Sequence, residues 1–223
     1  MGMRDASRQD AGHAGAFDPK DGAQAGDAIR FTAVEKSYNG RRVLRSVTFT
    51  LENGGAYCLM GPSGMGKTTL LRVLLGLERA DSGSIEGIRP GQIAAMFQED
   101  RLCDTLTPVE NVALVLPPST RRSEVRVMLE EILPPYCMEQ PVAQLSGGMR
   151  RRVSLARAMA FPSRMVVMDE PFTGLDKATR VQVIEFVKRH ARGRTLLVAT
   201  HGEDDAALLG ASKVLLTEVS DKC

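Results

Sequence analysis

Tryptophan is absent from this 223-residue chain and aromatic residues make up only 4% of it. No stacking platform of the kind single-stranded nucleic acids need is therefore in view. A dominant charge is missing too. The 29 Lys and Arg against 27 Asp and Glu leave a formal net charge of +2, far from the basic excess of a nucleic-acid binder, so no nucleic acid is expected as a partner. The four cysteines (Cys58, Cys103, Cys137 and Cys223) are scattered, without a C-x-x-C pair. That sparseness excludes a disulfide framework and points to a reducing, cytosolic compartment. No run approaches the roughly 18 apolar residues of a membrane helix, and the N-terminal segment lacks the apolar core of a secretory signal. What remains is an ordinary globular composition, 43% hydrophobic and 25% charged, enough for one large domain or two small ones.

Residues 1–27 are rich in Gly, Ala and Asp and show no apolar period, so they read as a disordered tail, with His13 in it a solvated residue rather than a ligand. The folded domain is expected over 28–217, with a short tail over 218–223. Ile29 to Val34 alternates at period two and Thr48 to Leu51 follows the turn residues Asn39-Gly40, the pattern of a half-exposed antiparallel sheet. The character then shifts. Ala56 to Met60, Ile93 to Phe97, Met165 to Met168 and Thr195 to Ala199 are short, nearly continuous apolar runs separated by helical patterns. Such runs suit strands buried on both faces of a parallel α/β core. A small, mostly helical insertion, about 99–160, lies between them. In it, Thr107-Pro108 reads as the start of a helix running to Leu116. A second helix carries Val125, Leu129, Ile132 and Leu133 on one face, and Pro134-Pro135 stop it.

The segment Gly61-Pro62-Ser63-Gly64-Met65-Gly66-Lys67-Thr68 fits G-x-x-x-x-G-K-[ST] and sits between a buried-strand pattern and a helix pattern. Glycines let successive backbone N–H groups converge on one anion, and the helix that follows adds its positive end. Lys67 at that helix start opposes the dipole unless a β/γ-phosphate is bound, while the Thr68 hydroxyl, with Thr69 beside it, is placed to ligate Mg²⁺. A nucleoside triphosphate is the ligand this spacing implies. Asp169 and Glu170 end the strand from Met165. Adjacent carboxylates there are costly to desolvate unless something positive compensates. A magnesium–phosphate complex outside the strand ends would do so, with Asp169 on the metal and Glu170 on the attacking water; an acidic strand cap is the plainer alternative. A second anion-friendly helix start follows Leu145, where Ser146 is a good N-cap and Gly147-Gly148 allow close approach. With only one P-loop lysine available, this second start would serve a nucleotide held by another copy of the chain. The arginines after it (Arg150, Arg151, Arg152 and Arg157) read as a solvated helix face.

The combination resembles the ATP-binding subunit of an ABC transporter over roughly residues 29–217. Leu145 to Ala158, LSGGMRRRVSLARA, is similar to the family's signature segment, and Met165 to Pro171, MVVMDEP, to its Walker B segment. The resemblance implies an α/β P-loop NTPase of ABC type: a parallel core sheet, an antiparallel β subdomain and a small helical subdomain. It implies that Gln98 is the glutamine that touches Mg²⁺ and faces the membrane partner. Asp176 would belong to the loop crossing the dimer interface, His201 would contact the γ-phosphate, and Tyr38 would lie against adenine. Taken singly, each of these four reads as an ordinary polar loop, strand-end or strand residue; their joint order carries the resemblance. The wording around Phe172 to Asp176 and Phe97 to Leu102 is similar to the nitrate/sulfonate/taurine-type import ATPases.

The expected function is ATP hydrolysis that powers solute transport, import rather than export, through a separate permease. The expected partners are a second copy of the chain, the permease and a substrate-binding protein, with the chain peripheral on the cytoplasmic face of the membrane. Only about twenty residues follow His201, so no appended regulatory domain is expected. The competing reading is a soluble ABC ATPase acting as an assembly or cell-division module; a repair-type ATPase would need a long coiled coil between Gln98 and Ser146, and that stretch is short and broken by prolines.

Overall fold

The computed structural model describes residues 28–216; the tails expected over 1–27 and 218–223, and His13, lie outside the described residues. The chain opens with β1 (Ile29–Tyr38) and β2 (Arg41–Leu51), joined through Asn39-Gly40, each longer than its clearest alternation implies. β3 (Ala56–Met60) leads into α1 (Lys67–Leu74), then β4 (Ser82–Glu86) and β5 (Ile93–Met96). Between β5 and β6 the chain forms α2 (Pro108–Ala113), α3 (Arg122–Glu130), two 3₁₀ turns and α4 (Gly147–Ala160). β6 (Met165–Asp169), α5 (Lys177–Ala191), β7 (Thr195–Ala199), α6 (Asp205–Leu209) and β8 (Ser212–Leu215) complete it. No helix among the described residues is long and apolar enough to cross a membrane.

The strands form two sheets: antiparallel β2-β1-β4, and parallel β5-β6-β7-β3-β8. The continuous apolar runs form β5, β6, β7 and β3 of the parallel sheet, both of whose faces are covered. Side-chain alternation decides which cover each residue meets. Leu59, Met165, Val167, Leu197 and Ala199 join α1 (Leu70, Leu71, Leu74) and the antiparallel sheet (Ile29, Phe31, Leu44, Leu51) in one core. Their neighbours Cys58, Val166, Met168, Leu196 and Val198 face the opposite way, into a second core built from α2 to α6. Helix α1, the helix that begins at the phosphate loop, is thus wedged between the two sheets.

Two strands lacked a sequence signal. β4, Ser82-Gly83-Ser84-Ile85-Glu86, is a polar edge strand with no fully buried residue. β8 lies at one edge of the parallel sheet, pairs only with β3 and is exposed at three of its four positions. The helix expected to reach Leu116 stops at Ala113. Val115 and Leu116 instead donate to carbonyls three residues back, tightening the last turn before Pro117. The arginines of α4 overturn another expectation: they do not form a solvated face. The Arg151 side chain is only 12% exposed and Arg157 is half-buried, because loops fold back over α4 and present carbonyl oxygens to them.

Candidate active site

The loop from Gly61 to Gly66 leaves the end of β3 and delivers Lys67 to the start of α1. Gly66 caps that helix at φ 90°, a left-handed conformation, and a Cβ there would meet Val43 and Leu44 at 2.9 Å. Glycine is needed on both counts. Lys67 is buried, 8% exposed, and its Nζ donates to the Gly61 and Pro62 carbonyls at 2.5 and 3.2 Å. Among the described residues no carboxylate pairs with it directly. It is a buried cation resting on its own loop at the positive end of a helix, a position that becomes favourable once an anion arrives.

Above this loop opens a cleft of about 340 Å³. Ser63, Gly64, Gly66, Lys67, Thr68 and Thr69 form one wall; Gln98, Asp169, Glu170 and Val43 form the rest. The phosphate-loop residues, the carboxylate pair and Gln98, spread over more than a hundred residues of sequence, therefore converge on one cavity. Val43 on β2 carried no signal, since a single valine in a strand pattern reads as core.

Asp169 is 5% exposed and accepts from the Thr68 hydroxyl at 2.8 Å. Burial raises its carboxyl above the usual range; the Thr68 bond opposes this, the Glu170 charge adds to it, and the Lys67 and Arg151 charges lower it. A buried carboxylate whose ionised form is disfavoured is ready for a cation. The hydroxyl of Thr68, the carboxylate of Asp169 and the amide of Gln98 are hard oxygen donors. Among the described residues no group of three or more His, Cys, Asp or Glu could hold a metal. That set fits Mg²⁺, which keeps its waters and borrows phosphate oxygens instead of occupying an all-protein cage.

Glu170 has φ 51°, rare for a residue with a side chain. The turn aims its carboxylate along the cavity wall toward the next strand end. Its Oε2 lies 2.8 Å from His201 Nδ1 and accepts from the Thr173 hydroxyl at 3.2 Å. His201 follows β7 and is fixed from behind. The Gly202 amide donates to the Thr200 hydroxyl at 3.0 Å, Thr200 donates to the buried Asp205, and Asp205 is ion-paired with Arg180. These residues line a second depression of about 170 Å³ that meets the first at Glu170. Sequence reading missed Thr173, Arg180 and Asp205; nothing in one sequence pairs residue 180 with 205.

Other expected residues lie outside the main cleft. Ser146 caps α4, accepting from the Met149 amide at 3.3 Å, and Gly147 and Gly148 form its first turn. A Cβ added at Gly147 would meet nothing within 4 Å, and one at Gly148 only Leu175 at 4.0 Å. The protomer's own packing therefore demands glycine at neither position, although glycine weakens a helix. Asp176 caps α5, accepting from the Thr179 amide at 3.0 Å; the Thr179 hydroxyl and amide hold its carboxyl below the usual range. Tyr38 is exposed, its hydroxyl bonded to Glu78, and it does not line the cleft. Met65 donates its amide to the Pro62 carbonyl at 3.3 Å and so closes the loop.

Residues 44–173 match the ABC transporter family. The chain is 38% identical over 205 residues to the aliphatic sulfonates import ATP-binding protein SsuB of Cupriavidus necator, covering 86% of this chain and 67% of that protein. It is 37% identical over 212 residues to the protein of the same name, numbered 1, of Paraburkholderia xenovorans, covering 92% of this chain and 62% of that one. Among solved structures, a dimeric ATP-binding cassette in a post-hydrolysis state, bound to ADP and Pi, is similar with a TM-score of 0.74 at 26% identity. That match covers 85% of this chain and 94% of the other.

Proposed function

The chain belongs to the ABC transporter family, and from that premise we propose that it is the ATP-hydrolysing subunit of an importer whose cargo is an aliphatic sulfonate or a close analogue. The cargo follows from the two sulfonate-import relatives and does not touch the cleft described above. Two copies form the working unit, each pressing its Ser146-Gly147-Gly148 helix start onto the triphosphate held by the other's loop. The observation that carries this reading is the open ground at Gly147 and Gly148, which lies outside the protomer's own cleft. Bare amides at a helix N-terminus, with space in front of them, suit an anion brought by another copy. The dimeric cassette among the structural neighbours supports the pairing.

Within the site, the loop amides and Lys67 bind the β- and γ-phosphates, Lys67 exchanging the Gly61 and Pro62 carbonyls for phosphate oxygens. Thr68, Asp169 and Gln98 would hold Mg²⁺, which would supply positive charge against the phosphates. Glu170 accepts a proton from the attacking water as the water oxygen bonds to the γ-phosphorus and the bond to the β-phosphate oxygen breaks. His201, now paired with Glu170, turns to the γ-phosphate when ATP is seated. Loss of that phosphate removes the charge that joins the protomers, and the pair opens. The segment between β5 and β6, with the Gln98 loop, hands this motion to a permease. The chain itself works peripherally, on the cytoplasmic face of the membrane, with a substrate-binding protein delivering the cargo.

Glu170→Gln tests the reading. The variant keeps its ATP affinity, loses turnover by about 10²–10⁴-fold, the usual worth of a positioned general base, and elutes as an ATP-dependent dimer on size exclusion. Turnover near that of the wild type would overturn the assignment. A dead variant that stays monomeric with ATP would overturn the shared site.

A further inference from the structure

We propose that Arg151 is a positioning residue for ATP hydrolysis, a latch that fixes the Gln98 loop and the backbone of Glu170 to the helix carrying the Ser146-Gly147-Gly148 start. The inference rests on Glu170 being the carboxylate that receives the water's proton, and it adds a residue that never touches ATP.

The side chain is 12% exposed, and its hydrogen bonds go to backbone carbonyls. One terminal nitrogen donates to the Gln98 carbonyl at 2.7 Å. The other donates to the Asp169 carbonyl at 3.1 Å and to the Glu170 carbonyl, and Nε donates to Glu170 at 3.1 Å. One rigid fork thus binds the carbonyls of all three residues that line the cleft beyond the phosphate loop and Val43. Only arginine offers five donors in a fixed plane; lysine's point charge cannot span such a set.

Two observations separate this from ordinary packing. Glu170 holds a left-handed φ of 51°, a conformation that persists only where its surroundings over-determine it. Its amide is fixed by the Ala199 carbonyl at 2.8 Å, and its carbonyl accepts from Arg151 and, at 3.4 Å, from the Thr173 amide, so removing the guanidinium leaves that carbonyl only the longer Thr173 bond to hold the turn that aims the carboxylate. Second, Asp100 Oδ1, buried and without a hydrogen-bond partner, lies 3.6 Å from the same guanidinium. The Gln98 loop is thereby held to α4 by charge as well as by carbonyl contacts. Arg194, another buried arginine bound to carbonyls, provides the contrast: its partners Met159, Phe161, His190 and Ala191 lie at the ends of α4 and α5, away from the cleft.

The test is steady-state ATPase kinetics of the full chain for Arg151→Ala, Arg151→Lys and the control Arg157→Ala. The control loses only bonds to the Asp100 and Arg101 carbonyls. Arg151→Ala is expected to lower kcat by roughly 10–100-fold while KM for ATP stays within about twofold, the signature of an interaction felt in the transition state. Arg151→Lys should not restore it, and Arg157→Ala should stay within about threefold of the wild type. Amide hydrogen exchange should rise together over 97–101 and 169–173 in Arg151→Ala, and only over 97–101 in the control. Unchanged kcat, full rescue by lysine, an equal loss in the control, or exchange confined to one segment would each overturn the latch. If Arg151→Ala does not fold, Arg151→Lys decides alone, and wild-type kcat there refutes it. Glu170→Gln run in parallel separates the two claims: if it retains turnover, the catalytic reading fails and takes the latch with it, whereas a dead Glu170→Gln beside an unimpaired Arg151→Ala removes only the latch.

Discussion

Lys67 shows how a single side chain can be stored in one state and used in another. Its ammonium sits at the positive end of α1, buried, with two loop carbonyls as its bonds. Those bonds offset part of its desolvation but bring no countercharge, so the site gains most when phosphate oxygens replace them. Lys67→Ala should therefore weaken ATP by at least about a hundredfold, the order expected for two charge-assisted hydrogen bonds at 1.5–3 kcal/mol each. Calorimetric titration with ATP would measure it, and an unchanged affinity would contradict the phosphate cradle. The ligand-free melting temperature should move little, because the loop is closed independently by the Met65 amide on Pro62 and by Gly66 under α1. Asp169 has the opposite sign and the same logic. Burial disfavours its charge, a cost that a cation bound beside it would offset.

Helix α3 and helix α5 are joined through one carboxylate at the end of α3. Glu131 accepts from Arg189 at 2.7 Å and lies 2.8 Å from His190 Nε2, while its carbonyl accepts from Gln182. Burial acts to raise the Glu131 carboxyl, but the hydrogen bonds from Arg189 and His190 outweigh it and hold the group below the ordinary glutamate value of 4.5. A depressed acid stabilises the fold above its unfolded value and loses that contribution as pH falls through the folded one. Glu131→Gln should then cost about 0.5–1 kcal/mol at pH 7, since Arg189 is half exposed and screened by solvent. The gap to the wild type should close as the pH drops below 4.5, and urea unfolding at pH 7 and pH 4 would measure it. A gap that does not depend on pH would show that the pair contributes nothing. Such a link was invisible in the sequence because its partners lie 58 and 59 residues apart. The parallel strands were legible for the opposite reason: burial on both faces leaves a continuous apolar run. β4 and β8 have no fully buried residue and so lack that run, whereas β5, also an edge strand, is buried and keeps it. Within the site, the phosphate loop and the Asp169-Glu170 pair were readable because each is contiguous. Arg151 was misread because an arginine on a helix defaults to solvent, and only the loops that fold back onto α4 turn it inward.

The two anion-friendly helix starts of this protomer, at α1 and at α4, do not line one cleft. The loop before α1, with Asp169, Glu170 and Gln98, encloses one cleft, while the start of α4 stands apart with unfilled space before Gly147. If two copies complete each other, defects in the two halves must complement. A Lys67→Ala protomer has a ruined cleft and an intact α4 start. A Gly148→Asp protomer has the reverse, since Gly148 has room for a side chain in its own chain and the added carboxylate would repel phosphate only across the interface. Each variant alone should be inactive. Paired together, they place both defects in one shared site and leave the other whole. With random pairing in an equal mixture, half the dimers are mixed and half their sites intact, so activity should recover to about a quarter of the wild-type value in a two-fold symmetric assembly. ATPase rates of the separate variants and of the mixture, preincubated with ATP, decide it. A mixture as inactive as its components would mean that each protomer completes its own site, and the role given to α4 would fail.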